Sequence, residues 1–140
     1  MILNLTPLQK ALFALEEAIN NATDQTFVDS LSDSQQKLII SGVIKHFEFT
    51  YEIGWKMMKR WLEENRDKSG IEGVTRRELF RLAAMSGLIS DVDKWMLYHQ
   101  ARNQTSHTYD ENRAKEIFAI CQQFLPEAEK LYQNLIKKND

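Results

Sequence analysis

Residues 46–61 read HFEFTYEIGWKMMKRW, and their large apolar side chains recur every three or four positions. The same spacing begins at Ile40 and continues to Trp61, and the segment ends near Asn65. A period of about 3.6 residues places side chains on one face of an α-helix. Four charged side chains of the segment are aligned on the other face: Glu48, Glu52, Lys56 and Lys59. The pattern predicts a long helix with an aromatic face towards a core and a charged face towards solvent.

Helical patterns also flank this segment on both sides. Leucine and isoleucine at intervals of three and four predict a first helix over residues 6–29. After a loop at residues 68–73, three capping patterns open three more helices: Thr75-x-x-Glu78, Ser90-x-x-Asp93 and Thr108-x-x-Glu111. The first of these helices stops at Ser86-Gly87, and the last extends to about Lys137. Alternation typical of strands is absent from the sequence, so the predicted fold class is all-α, an up-and-down bundle of four to five helices.

Length and composition limit the class of protein further. A chain of 140 residues that is 43% hydrophobic is expected to form one globular domain over residues 1–140. A net charge of -2 gives no overall attraction for nucleic acid, so any RNA contact would come from a local patch. The chain has one cysteine, no positively charged leader and no apolar run of about 20 residues. These features predict a cytoplasmic protein without a membrane segment.

The histidines and the cysteine do not have the spacing of metal ligands. His46, His99 and His107 lie far apart, and neither His-x-x-x-His nor Cys-x-x-Cys occurs. Gly70-x-x-Gly73 lacks the Lys-Ser/Thr ending of a phosphate loop, and no serine lies in the glycine pattern of a nucleophile elbow. We therefore expect no metal and no cofactor.

Residues 102–109 read RNQTSHTY and contain groups that can bind, cleave or be modified by a nucleotide. Arginine binds phosphate with two parallel hydrogen bonds, histidine exchanges a proton near neutral pH, and a tyrosine hydroxyl is a possible nucleotidylation acceptor. A structural alternative is open, in which Arg102 forms an ion pair with a glutamate such as Glu48 or Glu52. Spacing alone does not choose between a phosphate site and a structural ion pair.

Arg102 and His107 are five residues apart, which is about 140° around an ideal helix. A break in the helix or a second protomer is needed to bring the two side chains together. The capping pattern at Thr108 supplies a break. It also predicts that His107 and Tyr109 lie beside the first free backbone N–H groups of the last helix, where an anion is favoured.

The aromatic helix itself offers two interpretations. Its aromatic side chains form a core stripe, or some of them stack on a base. Glu52 and Lys56 have the spacing of a helical ion pair. Gly54 in the middle of the helix costs about 1 kcal/mol relative to alanine, which indicates a close approach of another helix or a ligand.

Taken together, residues 46–56 and 102–111 resemble the nucleotidyltransferase substrate-binding protein family, a branch of the HEPN superfamily. The resemblance extends over nearly the whole chain and includes the order and number of helices. It implies a HEPN-like helical bundle that forms a homodimer. It also implies a partner, a minimal nucleotidyltransferase encoded nearby, which would supply the nucleotidyltransferase active site.

The wider superfamily implies a more specific activity for residues 102–109. Through its Arg-x4-His motif the chain resembles the many members that are metal-independent ribonuclease toxins, neutralised by the nucleotidyltransferase. By this resemblance Arg102 would hold the scissile phosphate of RNA, His107 would act as acid or base, and Asn103 would orient the site. Tyr109 would accept a nucleotide from the partner, as in similar two-component modules. The substrate- or partner-binding residues expected on the aromatic helix are Glu48, Tyr51, Glu52, Trp55 and Lys56.

Two further hypotheses stay open at this point. The chain could be a noncatalytic subunit that binds a nucleotide or substrate for its partner, as the family name suggests, with Arg102 and His107 binding without cleaving. It could also be a purely structural bundle, in which replacement of Arg102 mainly lowers stability.

Overall fold

The computed structural model describes residues 2–139, and its regular elements are all helical. The helices are α1 (Thr6–Thr23), α2 (Gln25–Asp29), α3 (Asp33–Asn65), α4 (Lys68–Ile71), α5 (Arg76–Met85), α6 (Val92–Asn103) and α7 (Glu111–Lys138). A 3₁₀ turn over Thr105–His107 joins α6 to α7. The predicted all-α, HEPN-like bundle is confirmed. Within the described residues, no helix combines the length and the apolar character needed to cross a bilayer.

The long helix α3 lies at the centre of the bundle and packs against α1 and α7 on its apolar sides. Its aromatic face forms a cluster with α6 and α7, in which Phe47 and Tyr98 each meet the ring of Phe124 edge to face, at centroid distances of 5.0 and 5.1 Å. Tyr51 and Trp95 lie in the same cluster and are fully buried. Edge-to-face pairs contribute about 0.5–1.5 kcal/mol beyond the burial of their area. The core therefore fixes the mutual orientation of α3, α6 and α7, on which the candidate site is built.

Two predicted segments differ from the structure in their local form. The first helix does not extend unbroken over residues 6–29 but stops at Thr23, because Asp24 is extended and its carboxylate caps the separate helix α2 at Phe27 N–H. The predicted loop at residues 68–73 contains the single turn α4, which the Asp67 carboxylate caps at Ser69 N–H. In both cases an aspartate side chain satisfies a free backbone N–H group and so starts a new turn.

The starts of the last three long helices were predicted in the right regions, but two of the capping residues were wrong. Thr75 does cap α5 through Glu78 N–H. The cap of α6 is Asp91 rather than Ser90, and the cap of α7 is Asp110 rather than Thr108. In each case an aspartate lies one or two residues after the predicted cap, and its carboxylate accepts from the N–H groups of the first turn.

Candidate functional site

The candidate site lies where α6 ends and the chain turns through the 3₁₀ segment into α7. Arg102 belongs to the last turn of α6, and His107 is the last residue of the 3₁₀ turn. The turn is fixed by Thr105, a buried residue whose hydroxyl donates to Arg102 O at 2.9 Å. The same hydroxyl accepts from Arg102 Nη1 at 3.2 Å. Thr105 therefore couples the arginine side chain to the backbone that positions His107.

The Arg102 guanidinium is placed between two carboxylates of α3. Its Nη1 lies 3.8 Å from Glu48 Oε2 and its Nε lies 3.4 Å from Glu52 Oε1. The ion pair with Glu48 or Glu52 that the sequence left open as a structural alternative is thus found with both residues. The Nε atom is buried yet its N–H is not aligned for a hydrogen bond with any described residue, so the contact with Glu52 is an ion pair only. Because the side chain is also 33% exposed, the carboxylates hold the guanidinium in place without occupying all of its donors.

His107 and Tyr109 are both exposed, and they contact each other. Their ring centroids are 6.2 Å apart in an edge-to-face arrangement. Tyr109 has 85% of its surface exposed, which leaves its hydroxyl accessible to another protein. Among residues 2–139, no hydrogen bond joins Arg102 to His107. The arginine and the histidine therefore lie on either side of the Thr105 turn without a hydrogen bond between them.

The start of α7 is already occupied by an anion from the chain itself. The Asp110 carboxylate accepts from the backbone N–H groups of Asn112 and Arg113 at 3.0 and 3.4 Å. The prediction that His107 and Tyr109 flank free N–H groups at this helix end is therefore wrong. A carboxylate at the N-terminus of a helix fills the position that a phosphate would take.

Asn103 connects the loop to a polar network beneath α5. Arg76 Nη1 donates to the Tyr51 hydroxyl at 2.9 Å, so the hydroxyl proton is free to point at His99 Nδ1, which is 2.8 Å away. With Nδ1 as an acceptor, the ring proton of a neutral His99 lies on Nε2. That nitrogen is 3.5 Å from Asn103 Nδ2, and reversal of the amide presents its oxygen as the acceptor. The network thus runs from Arg76 through Tyr51 and His99 to Asn103.

Burial sets the protonation states in this network. Loss of solvent raises the pKa of Tyr51 to about 12, although the positive charge of Arg76 opposes the shift. Burial and then the charge of Arg76 lower the pKa of His99 below its usual range, while Glu52 opposes this. Tyr51 is therefore a neutral phenol and His99 a neutral imidazole near pH 7, as the order of donors and acceptors requires.

The charged face of α3 differs from the solvated face that its spacing predicts. Glu52 does not pair with Lys56; it contacts Arg102 and accepts from Trp55 Nε1 at 3.0 Å. The Lys56 ammonium lies 5.8 Å from the centroid of the Trp55 ring, and the Arg76 guanidinium lies 3.6 Å from the same centroid. One face of Trp55 is thus covered by Arg76. Glu48 and Glu52 are partly buried because α6 places Arg102 opposite them.

Tyr51, which the sequence suggested as a direct substrate or partner contact, has no exposed surface. That expectation is corrected by its position in the aromatic core: the α3 spacing that aligns Tyr51 with Phe47 also directs it inward. Its hydroxyl holds Arg76 and His99 instead.

Comparison with known proteins agrees with this arrangement of helices. The model of the family described as nucleotidyltransferase substrate binding protein like matches residues 3–137. The chain belongs to this family. The resemblance drawn from residues 46–56 and 102–111 is thereby confirmed over nearly the whole chain.

Relatives of known sequence or structure agree in length as well as in fold. The chain is 38% identical to a protein of Haemophilus influenzae named probable ribonuclease HepT, over 98% of this chain and 94% of that protein. It superimposes on HI0074 of Haemophilus influenzae with a TM-score of 0.92 and 36% identity, covering 94% of this chain and 98% of that one. The structure of HI0074 was described as the fold of a substrate binding domain of a nucleotidyltransferase. A Thermus thermophilus protein matches with a TM-score of 0.70 and 28% identity, covering 91% of this chain and 98% of that one.

Several side chains that build the site in this family member were not found from the sequence. Arg76, His99 and Thr105 were not singled out as site residues, although each contacts a residue of the site or of its network. Thr75 marks the start of α5, and therefore places Arg76 in its first turn, but no local pattern predicts that Arg76 stacks on Trp55 of α3. Residues 2–139 contain no group of three or more His, Cys, Asp or Glu side chains arranged to hold a metal ion.

Proposed function

We propose that this chain is the HEPN component of a cytoplasmic two-protein module, a metal-independent ribonuclease that a minimal nucleotidyltransferase neutralises. The observation that supports it is the loop from Arg102 to Tyr109, which combines a held guanidinium with spare donors, an exposed imidazole and an exposed phenol. A relative 38% identical over nearly the full length is named a probable ribonuclease.

In this proposal Arg102 binds the phosphate that is to be cleaved, because its guanidinium offers donors to two oxygens. The RNA 2′-oxygen attacks the phosphorus as its proton passes to a base. The new 2′-O–P bond forms while the P–O5′ bond breaks, and the 5′-oxygen leaves with a proton from an acid. His107 supplies one of these two proton transfers, and the products are a 2′,3′-cyclic phosphate and a 5′-hydroxyl. Asn103, held by His99, orients the phosphate beside Arg102.

A second protomer completes the site in this account. Arg102 is directed at α3, whereas His107 is directed at Tyr109 and solvent. Two copies of the loop facing each other across a dimer axis would place the Arg102 of one protomer near the His107 of the other. The composite cleft would then contain two arginines and two histidines, arranged as two pairs of an Arg102 and a His107 from different protomers.

Nucleotidylation of Tyr109 explains how the partner blocks cleavage. The tyrosine oxygen attacks the α-phosphorus of a nucleoside triphosphate, forming an O–P bond and releasing pyrophosphate, while the phenolic proton passes to solvent. Because the Tyr109 ring is in contact with His107, the added nucleotide places a phosphodiester and a base at the catalytic imidazole. RNA is then excluded by both volume and negative charge.

The exposed part of the α3 face is the proposed contact for the partner or the RNA. Lys56 is exposed and Glu48, Glu52 and Trp55 are half-buried, so all four keep some accessible surface, and Glu48 and Glu52 contact Arg102. Tyr51 contributes beneath this surface by holding Arg76 and His99.

Growth and RNA integrity in cells test the module as a whole. The variants are wild type, Arg102→Ala, His107→Ala and Tyr109→Phe, each with and without the neighbouring nucleotidyltransferase. We expect wild type alone to arrest growth and fragment RNA, both alanine variants to be harmless, and the partner to rescue wild type but not Tyr109→Phe. Rescue of Tyr109→Phe by an active partner would remove Tyr109 as the acceptor.

A noncatalytic binding subunit is the second candidate. It is favoured by the lack of a hydrogen bond between Arg102 and His107 within residues 2–139, and by the description of HI0074 as a substrate binding domain. In that case His107→Ala leaves cells unaffected but weakens binding of the partner or of ATP. This candidate is favoured if wild-type protein is shown to be expressed but neither arrests growth nor fragments RNA.

A further inference from the structure

A cavity of about 300 Å³ lies between α3 and the start of α5, and His99 of α6 contributes to its lining. Its polar and charged lining comes from Trp55, Lys59, Thr75, Arg76 and His99. None of the described residues that line it is acidic. The cavity therefore concentrates positive charge in a chain whose net charge is negative.

Both cations that line the cavity lack a carboxylate partner among the described side chains. The ion pairs within 4.0 Å over residues 2–139 include neither Lys59 nor Arg76. Each side chain is half-buried. Two half-buried cations that face one space without a counter-charge repel each other, and an anion between them removes that repulsion.

Arg76 is fixed before any ligand arrives. Its guanidinium stacks on the Trp55 ring at 3.6 Å, and its Nη1 donates to the buried Tyr51 hydroxyl at 2.9 Å. A stacked guanidinium keeps its remaining N–H donors free at its edge, and little side-chain freedom is left to lose on binding. A fixed guanidinium that keeps free donors and has no carboxylate partner has the geometry of a prepared anion site.

We propose that the cavity between Lys59 and Arg76 binds a phosphate group, as an accessory subsite for a backbone phosphate of RNA bound at Arg102. The placement rests on the proposed function, because His99 lines the cavity and its Nε2 lies 3.5 Å from Nδ2 of Asn103, the residue that follows Arg102. The binding of phosphate rests on the cavity alone. The subsite supplies local attraction for RNA that the acidic composition of the whole chain does not.

The test measures RNA binding separately from cleavage. A fluorescently labelled single-stranded RNA is titrated into the full-length His107→Ala protein at several salt concentrations, with and without a second substitution. Lys59→Gln is expected to weaken binding several-fold and to reduce the slope of log K against log salt by about 0.7–1, the effect of one phosphate contact. Lys59→Arg restores both values because it keeps the charge.

Arg60→Gln is the matched control, since Arg60 is exposed on the same helix, follows Lys59 directly and does not line the cavity. We expect it to change neither the affinity nor the slope. Equal effects of Lys59→Gln and Arg60→Gln, or no effect of Lys59→Gln, would overturn the subsite. So would failure of the protein to bind RNA at all.

A titration with ATP tests whether the phosphate belongs to RNA or to a mononucleotide. ATP should bind to the same variants more weakly than RNA. If Lys59→Gln weakens the binding of ATP but not that of RNA, the assignment to RNA is overturned in favour of a mononucleotide.

The subsite and the ribonuclease proposal can fail separately. If Lys59-dependent RNA binding is found while wild type does not cleave, the subsite stands and the ribonuclease proposal fails. If wild type cleaves RNA and Lys59→Gln changes neither binding nor cleavage, the subsite fails and the ribonuclease proposal stands.

Discussion

Arg102 and His107 occupy the same loop but differ in what their removal does to the fold. The Arg102 guanidinium lies between Glu48 and Glu52 at 3.8 and 3.4 Å, all three being partly buried. His107 is exposed, and its ring contact is with Tyr109. A loss of activity in an Arg102 variant therefore combines the loss of a phosphate-binding group with a loss of stability. A loss of activity in a His107 variant reports on the chemistry alone.

We expect Arg102→Ala to lower the free energy of unfolding by about 1–3 kcal/mol, between the values for exposed and buried ion pairs, because it leaves two carboxylates facing each other. His107→Ala should change it by less than about 0.5 kcal/mol. Urea unfolding of the two variants checks this. Equal stabilities would mean that Glu48 and Glu52 do not hold Arg102 in solution.

His99 gives the fold a pH dependence whose sign follows from its lowered pKa. The unfolded chain binds a proton at His99 near pH 6.5, whereas the folded chain binds it only at lower pH. Stability from this group is therefore complete above about pH 6.5 and is lost as the pH falls towards the folded pKa. We expect His99→Gln to reduce the loss of stability between about pH 7.5 and pH 5, as measured by thermal unfolding. An unchanged pH dependence in His99→Gln would contradict the neutral, half-buried state of this side chain.

At this scale the sequence named Glu48 and Glu52 as candidate partners of Arg102 but left the ion pair open against a phosphate site, because spacing along one helix does not show which side chains another helix places opposite it. It did not predict the network of Arg76, Tyr51, His99 and Asn103, which joins α3, α5 and α6. Apart from the pair of His99 and Asn103, its contacts join residues 23 to 48 positions apart, far beyond helical spacing. Only the tertiary packing brings a tyrosine from the aromatic stripe into contact with an arginine from a helix start.

Helix α3 contains two glycines, Gly42 and Gly54, and neither is needed to allow the close approach of another helix. A Cβ atom added at Gly54 would meet Leu131 Cδ2 at 3.5 Å and the Trp95 ring at 3.8 Å, which are ordinary contact distances. The close approach predicted from the sequence is therefore not required. At Gly42 an added Cβ meets no described atom within 4 Å.

Gly54→Ala and Gly42→Ala should each raise the free energy of unfolding by about 0.5–1 kcal/mol, since alanine loses less backbone entropy on helix formation. Gly73→Ala, at a φ of 78°, should instead lower it by about 1–2 kcal/mol. Chemical denaturation of the three variants provides the measurement. A loss of stability in Gly54→Ala beside a gain in Gly42→Ala would restore the close-approach interpretation.

The helices themselves were largely predictable, and their first residues less so. Apolar spacing fixed α3 and α7 because each buries one continuous stripe. The caps were misassigned where two capable residues lie close together, as Ser90 does with Asp91 and Thr108 with Asp110. Spacing cannot rank such neighbours, since the choice depends on which side chain the folded turn directs at the free N–H groups.

At the scale of the whole molecule, the proposed ribonuclease activity requires two protomers that share one cleft. If Arg102 of one protomer acts with His107 of the other, a heterodimer of one Arg102→Ala protomer and one His107→Ala protomer still contains one intact pair of Arg102 and His107. We expect a mixture of the two inactive proteins, denatured and refolded together, to recover part of the ribonuclease activity. Each protein refolded alone serves as the control, and a mixture as inactive as its components would contradict the shared cleft.

The central claim is that the chain itself cleaves RNA, with His107 transferring a proton and without a metal. The most direct measurement incubates the purified wild-type protein with RNA in the presence of a chelator, beside His107→Ala and the histidine control His46→Ala. We expect products ending in a 2′,3′-cyclic phosphate from wild type and His46→Ala, and a rate at least about 100-fold lower for His107→Ala. Intact RNA with wild type, or equal cleavage by His107→Ala, would contradict it.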